Sequence, residues 1–180
     1  FPFYGVPQNS VWVTSNGFLS FTDPGQTGLI AVNSALPNGD APNAGIYPFW
    51  DDLVLRADSA IRTETLGSAP DRRFVVEWEN VGHYGSNSAR LSVSAVLHES
   101  GRIDFTYDLL NSAREYGNSA TVGIEDAAGA TATTYSFNQP NLANGKRITF
   151  TPSGGGSDEP PPAPTTGTIQ GVVSSAGTGN

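Results

Sequence analysis

Apolar residues recur at every second position in four separate stretches, and this alternation constrains the fold more than any other feature of the chain. Phe74, Val76 and Trp78 share one face; Leu91, Val93, Ala95 and Leu97 share another; Ile103, Phe105 and Tyr107 a third; Ala120, Val122 and Ile124 a fourth. A period of two makes strands with one core face, and such a face must be covered by a second layer. Between Leu97 and Ile103 lies His98-Glu99-Ser100-Gly101-Arg102, with glycine where a positive φ is wanted, so these two stretches are expected to form a hairpin. Val11 to Thr14 and Phe18 to Thr22 flank Ser15-Asn16-Gly17, where Asn-Gly favours the tight turn of another. Tyr135 to Phe137 and Arg147 to Thr151 read as closing strands around Asn144-Gly145, and only Asp108 to Tyr116 has room for a short helical turn. With strand signals about every ten residues and turn residues between them, the chain is expected to be all-β: an antiparallel β-sandwich with short strands, long loops and little helix.

Composition changes abruptly after Pro152. Residues 1–152 are expected to form the sandwich. Residues 153–166 join a flexible Gly-rich part to an extended Pro-rich part and read as a linker. Residues 167–180 begin with an alternating Gly167-Thr168-Ile169-Gln170-Gly171-Val172-Val173 and read as the truncated first strand of a following module, or as a frayed tail. The chain starts in mid-pattern at Phe1, as expected of a piece processed or excised from a longer protein. Inside the first part, Asp23 to Ala44 is rich in Pro, Gly and Asn and long for a plain connection, which makes it a candidate functional loop.

Several function classes drop out on composition. A net charge of -8, with only nine Lys and Arg, repels nucleic-acid phosphate. With no cysteine, disulfides, thiolate catalysis and cysteine-bound zinc are excluded, and the two histidines, His83 and His98, fit no zinc-enzyme spacing. No apolar run approaches the roughly 20 residues that cross a bilayer, so membrane insertion is not expected. A cysteine-free, lysine-poor chain rich in Ser, Thr, Asn and Gly suits a secreted or cell-surface bacterial protein. No Gly-x-Ser-x-Gly elbow marks a serine hydrolase. Lys146, the single lysine, sits in the turn Asn144-Gly145-Lys146-Arg147, which argues against the apolar pocket that an isopeptide crosslink needs.

The segment Gly45-Ile46-Tyr47-Pro48-Phe49-Trp50-Asp51-Asp52 is either a core corner or a site. Tyr47, Phe49 and Trp50, with Trp12 and Tyr84, are candidates for an aromatic platform on which sugar rings stack, against the alternative that the same rings fill the core. Asp51 and Asp52 are candidates for ligating a hard cation such as Ca2+, or for capping a turn. Glu77 and Glu79 project from the same strand face with α-carbons about 6.6 Å apart, the kind of pairing that β-sandwich glycoside hydrolases use. The laminarinase-like pattern Glu-x-Asp-x-x-Glu is incomplete in Glu77-Trp78-Glu79-Asn80-Val81-Gly82, where glutamate replaces the aspartate and glycine the third acid. The other reading is an outward strand surface with Arg62, Arg90 or Arg102 as cross-strand partners.

Phe1-Pro2-Phe3-Tyr4-Gly5, Val11 to Phe21, Ile46 to Leu53, Arg73 to Val81 and Asn118 to Glu125, in that order, make the chain similar to nidogen-like extracellular domains. The segment from Gly167 resembles the opening of carboxypeptidase-regulatory-like β-sandwich modules. The resemblance implies a non-catalytic, secreted or cell-surface module of a multidomain protein, serving adhesion or substrate recognition, with no catalytic residues to carry over. Its expected partners are an extracellular polysaccharide or a matrix or surface protein, and further domains of the same polypeptide. A carbohydrate-binding module built on the cluster around Trp50 and a glycoside hydrolase built on Glu77 and Glu79 are the alternatives. The lack of cysteine departs from animal members and points to a bacterial source.

Overall fold

The computed structural model describes residues 1–25, 28–152 and 171–173. In chain order the strands are β1 (Pro2–Phe3), β2 (Val6–Pro7), β3 (Val11–Val13), β4 (Leu19–Ser20), β5 (Gly45–Trp50), β6 (Leu53–Val54) and β7 (Ala60–Leu66). They continue as β8 (Arg73–His83), β9 (Leu91–His98), β10 (Ile103–Leu110), β11 (Thr121–Glu125), β12 (Ala132–Phe137), β13 (Arg147–Phe150) and β14 (Gly171–Val173). One sheet runs β13-β10-β9-β8-β6, with β7 also on β8; the other runs β12-β11-β5-β4-β3-β14, and β1 pairs with β2. Every pairing is antiparallel except that of β14 with β3. The fold is the expected antiparallel all-β sandwich. The expected linker at 153–166 lies outside the described residues, as does 167–180 apart from β14.

The alternating residues form the core. Phe74, Val76, Trp78, Leu91, Val93, Ala95, Leu97, Ile103, Phe105 and Tyr107 of one sheet meet Val11, Val13, Leu19, Ile46, Phe49 and Val122 of the other. Two polar atoms tie the layers together: the Trp78 indole N–H donates to the Thr14 carbonyl at 2.8 Å, and the Tyr107 hydroxyl to the Pro48 carbonyl at 2.7 Å. Each satisfies a polar group that its ring carries into an apolar interior.

The β9–β10 hairpin forms as expected, with Leu97 opposite Ile103 and Gly101 at φ 89°. The β3–β4 hairpin also forms, with Gly17 at φ 73°. The closing strands behave differently from expectation. Tyr135 to Phe137 belong to β12, paired with β11, whereas β13 pairs with β10 in the opposite sheet. The Asn144-Gly145 turn connects to β10 instead, its Gly145 N–H bonding to Tyr107 and its Asn144 side chain accepting the Leu110 N–H at 2.6 Å. The helical turn lies at Arg114–Asn118, and a second short one spans Gly28–Ala31.

β5 shows how the aromatic segment is used. Thr121 pairs with Trp50 and Gly123 with Tyr47, so one residue of β11 faces two of β5, a bulge at Pro48 and Phe49. A proline in a central strand needs such an interruption because it has no N–H to donate. The extra residue also shifts the alternation by one, so Ile46 and Phe49 enter the main core while Tyr47 and Trp50 enter a second cluster with Phe18 and Leu36.

That second cluster lies under residues 28–44. Trp50 donates its indole N–H to Ile30 at 2.8 Å, Tyr47 its hydroxyl to Pro42 at 2.5 Å, Thr121 to Ser34 at 2.6 Å and Thr134 to Leu36 at 3.1 Å. The fully buried Glu125 accepts the Asn38 N–H at 2.6 Å. The long segment is therefore a third layer fastened over the sheet, and its lack of periodicity reflects fastening by polar groups and a few rings.

Candidate functional site

Three connections meet at one end of the sandwich: the Asp51-Asp52 turn after β5, His83 to Arg90 at the end of β8, and Asn111 to Ser119 after β10. Backbone bonds stitch them together, Tyr84 N–H to the Asp52 carbonyl at 2.9 Å and Asn111 N–H to Arg90 at 3.3 Å. Beneath them lies a buried row of titratable groups. His83 is fully buried, with Nδ1 3.5 Å from Asp51 Oδ2 and Nε2 3.3 Å from Glu115 Oε1. Asp51 accepts the Ser119 hydroxyl at 2.5 Å and the Asp52 N–H at 2.8 Å, and its Oδ1 lies 4.0 Å from the Arg114 guanidinium. Glu115 is held by the Ser112 hydroxyl. Arg56 closes the group from the side, donating to the carbonyls of His83, at 3.2 Å, and Ser86.

Burial governs the titration of His83 and Asp51. It pushes His83 down to about 4, with the Arg114 charge acting in the same direction. It raises the Asp51 carboxyl against the opposing Ser119 and Asp52 hydrogen bonds and the Arg114 charge, and raises Asp52 as well. The unfolded chain protonates His83 below its ordinary value of about 6.5, whereas the folded domain keeps it neutral. The His83 contribution to stability is thus present above that pH and lost as pH falls towards 4; Asp51 acts with the opposite sign. His83→Gln is expected to lower stability at pH 7 yet lose less on going to pH 5 than the native chain does. Urea midpoints at the two pH values check this.

Above the buried row the surface is polar and aromatic. The Tyr84 side chain is free in solvent at 68% exposure, Asp52 is half-buried, and Arg114 reaches the surface with 42% of its side chain exposed. Of the five aromatics expected as a platform, the structure leaves only Tyr84 in this position. Tyr47, Phe49 and Trp50 are at most 2% exposed, and Trp12 is half-buried on β3. The five do not form one platform, because β5 is a central strand covered on both faces. Asp51 and Asp52 also part company: Asp51 is committed to Ser119, the turn and Arg114, and Asp52 faces the surface. Among the described residues no group of three or more His, Cys, Asp or Glu side chains is arranged to hold a metal ion.

Glu77 and Glu79 lie on the outer face of β8, half-exposed. Arg62 of β7 stands opposite Glu77 and bonds Glu79 at 2.6–2.8 Å, as the outward-surface reading expects. Their neighbours across β9, Ser92 and Ser94, are small, so the acids sit on an open sheet and not in an aromatic-lined groove. Both members of the Arg62–Glu79 pair are well exposed, and Arg62→Ala is expected to change unfolding free energy by less than about 1 kcal/mol, a shift that chemical denaturation resolves. His98 is less free than its turn position suggests: Nε2 lies 2.8 Å from the buried Asp104, which also takes Arg102. Lys146 donates to the Asn141 carbonyl and lies over the Tyr135 ring, with no carboxylate partner among the described residues.

The buried row went unseen in the sequence. His83 closes an alternating strand after Gly82, a weak signal that it points inward, but Glu115 sits in an irregular stretch where nothing announces burial. A family model described as NIDO related matches residues 1–158 of the chain. No curated protein and no solved structure matches it.

Proposed function

The chain belongs to the NIDO-related family, and from that membership we propose that it is a non-catalytic extracellular module of a larger secreted or cell-surface protein, serving adhesion or substrate recognition. The family match across residues 1–158 carries this reading. The outer sheet face supports it, because the paired acids that a glycosidase would use are spread on a flat surface and one is neutralised by Arg62. A domain of this kind works by holding its parent protein at a surface or polymer, where tethering raises effective concentration without any reaction.

The test is a panel of extracellular polysaccharides and matrix proteins probed with the full chain, read for binding and for hydrolysis. Retention on at least one immobilised polymer without release of reducing sugar is expected. Release of reducing sugar that disappears in Glu77→Gln would replace the proposal with the hydrolase reading.

A further inference from the structure

The end of the sandwich bears a combination of groups that selects a ligand class. Tyr84 offers an exposed ring, Asp52 a half-buried carboxylate that accepts hydroxyl protons, and Arg114, whose Nε donates to Ser119 at 3.3 Å, the N–H donors at the tip of its guanidinium. Sugar rings stack their C–H faces on aromatic rings, and their neighbouring hydroxyls need an acceptor and a donor side by side. The net charge of -8 disfavours polyanions.

The three groups share one support. Tyr84 follows His83 and its N–H is bonded to Asp52; Arg56 clamps the same loop at His83 and Ser86; Arg114 adjoins Glu115. Asp51, His83 and Glu115 are costlier to bury than apolar side chains of the same size would be in this sandwich. The hydrogen bonds around them fix the connections: Ser119 and the Asp52 N–H hold Asp51, Ser112 holds Glu115 and Arg56 holds the His83 carbonyl, while both His83 ring nitrogens stay without a hydrogen-bond partner among the described residues. These bonds join the three connections that bear the exposed groups.

Resting on the recognition reading above, we infer that the surface formed by Tyr84, Asp52 and Arg114 is a binding site for a neutral polysaccharide with vicinal hydroxyls. The ring supplies the stacking face, Asp52 accepts from the hydroxyls and Arg114 donates to them. The buried residues are positioning residues and do not touch the sugar.

The test is affinity electrophoresis of the full chain through gels containing neutral polysaccharides, such as β-glucan, mannan and xylan, and one anionic polymer, alginate. Tyr84→Ala, Arg114→Ala and Glu77→Gln are run beside the native chain. The native chain and Glu77→Gln are expected to be retarded by at least one neutral polymer. Tyr84→Ala should lose at least tenfold in affinity with an unchanged thermal midpoint, and Arg114→Ala at least tenfold while still unfolding in one cooperative transition. Retardation that survives Tyr84→Ala overturns the assignment of the face. Retardation by alginate alone, or retention by matrix proteins with no polysaccharide bound, overturns the ligand class and leaves the recognition reading standing. Silence towards every polymer and every matrix protein overturns both.

Discussion

Trp50→Ala is expected to cost about 3–5 kcal/mol of stability, the range for removing a large ring from a closed interior. Trp50 is 2% exposed, stacks on Tyr47 with centroids 5.1 Å apart and touches Phe18 at 5.5 Å. It also donates to Ile30, so its loss empties the second cluster and cuts a fastening of the overlying layer at once. The effect should be local as well as global, with protease sites within residues 28–44 opening before the main core melts. Trp50→Phe separates the contributions: it keeps most of the packing, orphans the Ile30 carbonyl, and is expected to cost about 1–3 kcal/mol. Urea unfolding with limited proteolysis measures both, and unchanged stability in Trp50→Ala would contradict the burial described.

Gly17→Ala is expected to cost about 2–4 kcal/mol, from left-handed backbone strain of about 1–2 kcal/mol and from crowding in a closed core. Its φ is 73°, and an added Cβ would fall 2.0 Å from the Phe49 carbonyl oxygen and 2.9 Å from a Leu53 methyl. The Phe49 N–H to Gly17 bond, 3.1 Å long, joins the β3–β4 turn to the bulged part of β5, and the new methyl must force them apart. Gly145→Ala is the control, since its φ of 77° imposes similar strain with nothing within 4 Å of the new atom. The difference between the two variants isolates the collision from the backbone term. Equal losses would mean that the turn can move away from β5.

The legible parts of the fold were those where local chemistry and tertiary environment agree. Residues 91–98 and 103–107 alternate cleanly, share a glycine turn and pair as the expected hairpin, with a bulge after Tyr107. β7 was missed because Arg62, Thr63, Glu64 and Thr65 carry no apolar rhythm; it is an edge strand held by β8. Tyr135 to Phe137 and Arg147 to Thr151 were legible as strands, but their sheets were not, because a turn between two strands does not say which sheet each joins. At the site, Tyr84 and Asp52 could be named from residue type alone. Glu115, Ser112 and Ser119 could not, since their roles arise only when a stretch after β10 folds back on the ends of β5 and β8. The rings of Tyr47, Phe49 and Trp50 were read as core or platform, and the bulge at Pro48, invisible as a pattern, sends them to both faces of one covered strand.

The position of β5 has a consequence for how the molecule is put together. One of its ladders is with β4, a short separation along the chain, and the other with β11, which begins at Thr121. The meander from β7 to β10 can zip from neighbouring hairpins, whereas this second sheet has to wait for a long-range closure, the slower kind of event. Until Thr121–Glu125 arrives, Tyr47 and Trp50 have a strand to sit on but no neighbour on one side. Assembly should therefore finish where Thr121–Glu125 docks beside β5, so that a chain interrupted before β11 would carry Asp51, His83 and Glu115 yet leave β5 as an unpaired edge.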